Sequence, residues 1–145
     1  MIVPTSNGQT GLAGEHATTA ALLRRGWAAA MVHGHSPGID ILAAKGDRTI
    51  QVQVKTSLTF KTGFPLKQAM LKPHVFYICV ILEEERTVFY VVPGSQIDAV
   101  YYRSPCGILG QIRPKNLEPF RGAWQRLEQQ SEGLMPQDLG ALGAL

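Results

Sequence analysis

The sequence is short of cysteine, of charge and of long apolar runs, and each shortage closes off a class of protein. Two cysteines in 145 residues are too few for a disulfide framework or a thiolate zinc centre. Cys79 lies inside an apolar run and reads as a small buried hydrophobe, whereas Cys106 sits in a Ser-Pro-Cys-Gly turn. The longest uninterrupted apolar run, Val75 to Leu82, falls well below the ~20 residues that span a bilayer, so neither a transmembrane helix nor a membrane partner is expected. The first residues carry no basic patch followed by an apolar stretch; no signal peptide is expected, and a cytoplasmic location is. Charged residues make up only 17% of the chain against 45% hydrophobic, a balance that folds rather than staying disordered. The length suits one core. Residues 1–131 are therefore expected to form a single domain, with 132–145 a Gly- and Leu-rich C-terminal tail.

The charge that is present is unevenly spread. The formal net charge is +3, but up to residue 74 eight Lys or Arg face three acidic residues, and beyond it six face eight. A basic first half hints at a polyanionic partner such as nucleic acid.

Ser6 with Gln9 has the form of a capping box and Gly26 follows the last apolar position, which predicts a helix over ~7–25. Gly8, Gly11 and Gly14 would leave one side of its first turns bare enough for close approach. Trp27–Val32, Ile39–Ala44 and Thr49–Thr56 read as strands, the last two joined by a tight hairpin at Lys45–Arg48. A looser stretch from Ser57 to Pro73, with a short helix near 66–71, leads to two strongly β-type segments, Val75–Leu82 and Thr87–Val92. Ser95 is a candidate N-cap for a helix to about Tyr101, a strand follows near Ile108–Ile112, and Phe120, Trp124 and Leu127 give a final helix its apolar stripe.

In Thr49–Thr56 the residues alternate, so Ile50, Val52 and Val54 share one face while Gln51, Gln53 and Lys55 share the other. Asp40 lies between apolar neighbours on the preceding strand, where a carboxylate needs a cation or a donor. One tight turn separates the two strands, so Asp40 can lie beside Gln53 and Lys55. Glu15 falls on or beside the helix stripe of Leu12, Thr19 and Leu22. Two carboxylates, a carboxamide oxygen and an ammonium suit a hard cation such as Mg²⁺, which shares phosphate oxygens with its substrate.

Glu15 in Gly-Glu-His-Ala, Asp40 in Pro-Gly-Ile-Asp, and Gln53-Val-Lys55 followed by Thr56-Ser57, ordered helix, strand, hairpin, strand, resemble the PD-(D/E)XK nuclease superfamily. Within it they are similar to small restriction-endonuclease-like and Holliday-junction-resolvase-like domains, over about residues 6–92. The resemblance implies an α/β fold: a restriction-endonuclease-like core with a central mixed β-sheet flanked by helices, in α-β-β-β-α-β order. It implies a metal-dependent endonuclease that hydrolyses DNA phosphodiesters, including the structure-specific, junction-resolving form, with Mg²⁺ or Mn²⁺ as cofactor. Asp40 would be the central metal ligand, position 53 the second, helped by the Val54 carbonyl, with Glu15 binding directly or through water. Lys55 would polarise the attacking water or stabilise phosphate charge. Thr56, Ser57, Lys61, Lys67 and Lys72 would hold the DNA backbone, and His35 of His33-x-His35 would sit near the substrate phosphate.

Gln53 departs from the family's Asp or Glu. The alternative reading is thus a catalytically inactive nuclease fold that serves as a nucleic-acid-binding or protein-interaction module. Cutting both strands takes two sites, and the apolar stretches Val88–Val92 and Leu139–Leu145 exceed what one small core requires, so a two-fold homodimer is expected.

Overall fold

The structure, a computed structural model, describes residues 6–32 and 37–129. His33, His35 and the 132–145 tail lie outside these residues. Helix α1 runs Asn7–Arg24 behind the expected capping box: Ser6 Oγ accepts the Gln9 N–H at 3.2 Å and Gln9 Oε1 accepts the Ser6 N–H at 3.1 Å. Two orphan N–H groups are satisfied, which lets the glycine-rich first turns close. The buried face of α1 is Gly14, Thr18, Ala21 and Leu22, not the expected Leu12, Glu15, Thr19 and Leu22. Leu12 is 45% exposed. The face was misplaced because the closest contact is made by a residue with no side chain.

Five strands form the central sheet: β1 (Ala28–Met31), β2 (Ile41–Lys45), β3 (Arg48–Ser57), β5 (Val75–Leu82) and β6 (Thr87–Pro93), in spatial order β1-β2-β3-β5-β6. All neighbours are antiparallel except β3 and β5, which are parallel from Gln51↔Val75 to Ser57↔Ile81. The sheet is mixed, as expected. Gly46, at φ +60°, turns the β2–β3 hairpin in a conformation other residues resist.

Each face of the sheet carries its own core. Val52, Val54, Ile78 and Val80 pack with Leu22 of α1 and with Trp27 and Leu127. On the other face Tyr77, Cys79, Ile81 and Tyr90 pack under Phe64, Leu66, Ile112 and Leu117. That second cover is a small sheet, β4 (Phe64–Pro65), β8 (Gly110–Ile112) and β7 (Tyr101–Arg103), in the order β4-β8-β7; of its strands only β8 was expected, near Ile108–Ile112. Its strands are two or three residues long, too short for a periodicity to register.

Two predicted helices are different in the structure. The segment after β6 is a 3₁₀ turn, Gly94–Ala99, capped by Pro93 without a side-chain bond, so Ser95 is not its N-cap. The final helix is replaced by three short 3₁₀ turns, Pro114–Asn116, Glu118–Phe120 and Trp124–Glu128. Pro119 and the left-handed Gly122, φ +58°, break the chain between them. Phe120 and Leu127, read as one stripe, end in opposite cores. Trp124 packs on Phe89 at 5.1 Å and beneath the Arg25 guanidinium at 4.4 Å. Val88, Tyr90, Val91 and Val92 are all buried within the chain, so this apolar stretch is used by the core and gives no reason for a second copy. Among the described residues no helix is long and apolar enough to cross a membrane.

Candidate active site

Asp40 and Gln53 come together where β2 leaves β3. Regular β2–β3 pairing ends at Ile41↔Val52, and beyond it Asp40 continues the ladder partly with its side chain. Its backbone N–H donates to Val52 O at 2.8 Å, and its Oδ2 accepts the Val54 N–H at 2.7 Å. Asp40 therefore brackets Gln53 along the strand edge. In an extended strand a residue's N–H and C=O share an edge, so the Val54 carbonyl turns toward the edge that β2 has vacated, beside the Asp40 carboxylate.

Gln53 is only 6% exposed, and its Oε1 is buried with no hydrogen-bond partner among the described residues. Gln53 is consequently not wetted, as it would be on a sheet open on one side, whereas Gln51 and Lys55 on the same face stay partly exposed. Gly38, φ +79°, passes directly over this amide: a Cβ there would meet Gln53 Oε1 at 3.7 Å and Met70 Cε at 2.7 Å. Gln53 pairs with Tyr77 in the parallel ladder. The Tyr77 hydroxyl donates to Met70 O at 2.6 Å and accepts the Lys72 N–H at 2.8 Å, while burial raises its pKa. Tyr77 thus fixes the turn that roofs the amide. Nothing in the sequence singled it out, since a tyrosine in an apolar strand reads as core.

Lys55 lies two residues on, half-buried, in register with Cys79. Burial drives the Cys79 thiol well above the usual range, and the Lys55 charge opposes that shift. Cys79 is therefore a neutral neighbour of the ammonium. Thr56, on the alternate face, is held against α1. A Cβ on Gly14 would fall 1.8 Å from Thr56 Oγ1, so the glycine is what lets the helix lie on the strand. Glu15 follows, half-buried, on the α1 side of the sheet.

The remaining expected contacts are dispersed. Lys61, Lys67 and Lys72 are exposed along the connection between β3 and β5. Ser57 Oγ is engaged by its own loop, donating to Thr59 O at 2.9 Å. Phe64 is buried, and Phe60 meets Tyr90 edge-on at 6.1 Å; these aromatics pin the loop rather than presenting rings to a base.

Among the described residues no three His, Cys, Asp or Glu side chains are grouped to hold a metal. With a glutamine at position 53, only Asp40 and Glu15 supply charge. The Gln53 oxygen, buried without a partner among the described residues, and the Asp40 carboxylate, bonded to the Val54 N–H, are of the donor types that suit a hard cation keeping most of its waters.

No family model and no curated protein matches the chain significantly. Solved structures similar to it include the following two. A bacterial homing endonuclease, I-Ssp6803I, shares 20% identity at a TM-score of 0.60, over 85% of this chain and 93% of its own. Hjc, a Holliday junction resolvase from the archaeal hyperthermophile Archaeoglobus fulgidus, shares 17% identity at a TM-score of 0.56, over 77% of this chain and 88% of its own. With the mixed five-stranded sheet and the helix packed on it, these likenesses establish that the chain has the restriction-endonuclease-like nuclease fold.

Proposed function

We propose that the protein is a metal-dependent DNA endonuclease that hydrolyses phosphodiester bonds. The observation that carries this reading is the bracketing of Gln53 by Asp40, with Lys55 two residues further along β3. Of the similar structures, one is named as a homing endonuclease and another as a Holliday junction resolvase. Asp40, Gln53 Oε1, the Val54 carbonyl and Glu15 would hold Mg²⁺ or Mn²⁺, which when bound supplies charge neutralisation at phosphate and an activated water. Lys55 donates to a phosphate oxygen and offsets the charge that develops there. Asp40, Glu15 and Lys55 are each partly exposed, which leaves them open to water and to a phosphate. Cutting both strands takes two such sites, and the working form proposed is a two-fold homodimer, which light scattering would show as twice the chain mass.

Incubation of the purified chain with four-way junction and duplex DNA, with Mg²⁺ and with chelator, tests the reading. Metal-dependent nicks in either substrate are expected. DNA binding without cleavage at any Mg²⁺ or Mn²⁺ concentration would favour the second reading, a catalytically silent nucleic-acid-binding module, for which the uncharged Gln53 is the specific argument.

A further inference from the structure

At the end of the sheet where β3 and β5 begin lies a cavity of about 450 Å³ that takes no part in the site above. Its lining includes Arg48, Arg126 and His74 and, among the described residues, no acidic one. Neither guanidinium has a carboxylate partner among the described residues. Arg126 donates Nη1–H to Gln96 Oε1 at 2.7 Å, lies 4.7 Å over the Phe120 ring, and keeps its Nε–H buried without an acceptor. Arg48 is held by the carbonyls of Leu127 and Gln129. Carbonyls and an amide orient the two forks without neutralising them, and a cavity that gathers positive charge at a cost is suited to an anion. Ser95 adds an exposed hydroxyl at the rim, and Phe76, Pro73 and Pro93 give the cavity an apolar wall. A second cleft of about 210 Å³ shares His74 and runs past Lys72 to Gly38 and Met70, the residues roofing Gln53.

We propose that the 450 Å³ cavity is a phosphate-ester subsite that takes a nucleotide phosphate, either of a nucleic-acid strand or of a free mononucleotide. The strand source rests on the nuclease reading above; phosphate binding itself does not. Titration of the full chain with thymidine 5′-monophosphate, followed by amide NMR, tests it. Shifts at residues 48–50, 74 and 94–96 are expected, with unphosphorylated thymidine binding more weakly. Arg126→Gln and Ser95→Asp should each weaken the monophosphate about tenfold, as loss of one charge-assisted contact or gain of one repulsion would. Ser95 is exposed, so its variant carries the test should Arg126→Gln fail to fold. Asp40→Ala should bind the monophosphate as wild type does, which separates failure of this subsite from failure of the nuclease reading. If Ser95→Asp also weakens duplex binding by the Asp40→Ala chain, the source is a strand; if it weakens only the monophosphate, the source is a free nucleotide. Equal binding of thymidine and its monophosphate, or wild-type affinity in a folded Ser95→Asp chain, would overturn the proposal.

Discussion

Asp40 and Val54 are joined by a carboxylate-to-backbone bond of 2.7 Å at the point where β2 stops. The same carboxylate that closes the ladder is the principal charge available to a cation, and amide and alanine substitutions separate these two tasks. Asp40→Asn keeps an acceptor for the Val54 N–H and should melt near wild type, whereas Asp40→Ala should lose about 1 kcal/mol. Both should lower DNA cleavage by at least about 100-fold, as should Lys55→Ala. Cleavage at wild-type rate by any of the three would refute the assignment.

Gln53→Glu places a carboxylate where the oxygen is buried and beside Asp40. Without metal the variant should lose about 1–3 kcal/mol, the cost of an uncompensated buried charge after partial relaxation. Mg²⁺ should restore that stability, bind more tightly by calorimetry, and raise cleavage at low metal concentration. A variant whose melting temperature is indifferent to Mg²⁺ would show that position 53 does not face the ion.

Gly14 and Gly11 occupy one helix yet should respond oppositely to alanine. At Gly14 the new methyl collides with Thr56 Oγ1, while at Gly11 nothing lies within 4 Å. Gly14→Ala should cost about 1–3 kcal/mol by forcing α1 off β3, and Gly11→Ala should gain up to about 1 kcal/mol from helix propensity. Thermal melts of the two variants that move in the same direction would contradict the contact.

The two cysteines should differ sharply toward iodoacetamide. Hydrogen bonds from Ser104 and from the Leu109 and Ile108 N–H groups lower the exposed Cys106 thiol to about 7. Its alkylation rate should therefore climb through pH 7 and level off above it, the thiolate being the reactive form. Cys79, fully buried and raised, should react only on unfolding. Mass spectrometry of the native protein finding label on Cys79 would contradict this burial.

If the exposed lysines Lys61, Lys67 and Lys72 track a DNA backbone, replacing all three should reduce the salt slope of binding by up to about 0.9 per duplex contact. An unchanged slope would identify them as solvated surface.

What was legible in the sequence was whatever repeats over several residues or closes locally: the capping box of α1, the alternation of β3, the glycine turn before it, and the nearness of Asp40 to Gln53. What was not legible depended on distant covering. The small sheet is built from pieces of two or three residues, one of which lies far from the others in the chain. The burial of Gln53 likewise depends on Gly38 passing over its amide. The true face of α1 was hidden for a related reason, because hydrophobic periodicity counts side chains and Gly14 has none. The cavity of Arg48 and Arg126 joins residues 78 positions apart, a proximity no local pattern encodes.

The parallel pairing of β3 with β5 sets a length as well as a direction. From Ser57 at one end of the paired stretch to Val75 at the other, the connecting segment must travel back along six strand steps, about 20 Å at ~3.3 Å each. Lys61, Lys67 and Lys72 all lie on this return path, so their charges are spread along the height of the sheet instead of pooled at one end. At 3.4 Å of axis per phosphate on one strand, that height corresponds to about six base pairs. If those lysines meet a DNA backbone, a chain reversal needed for topology would also set the length of the track, and shortening the crossover would shorten the track with it.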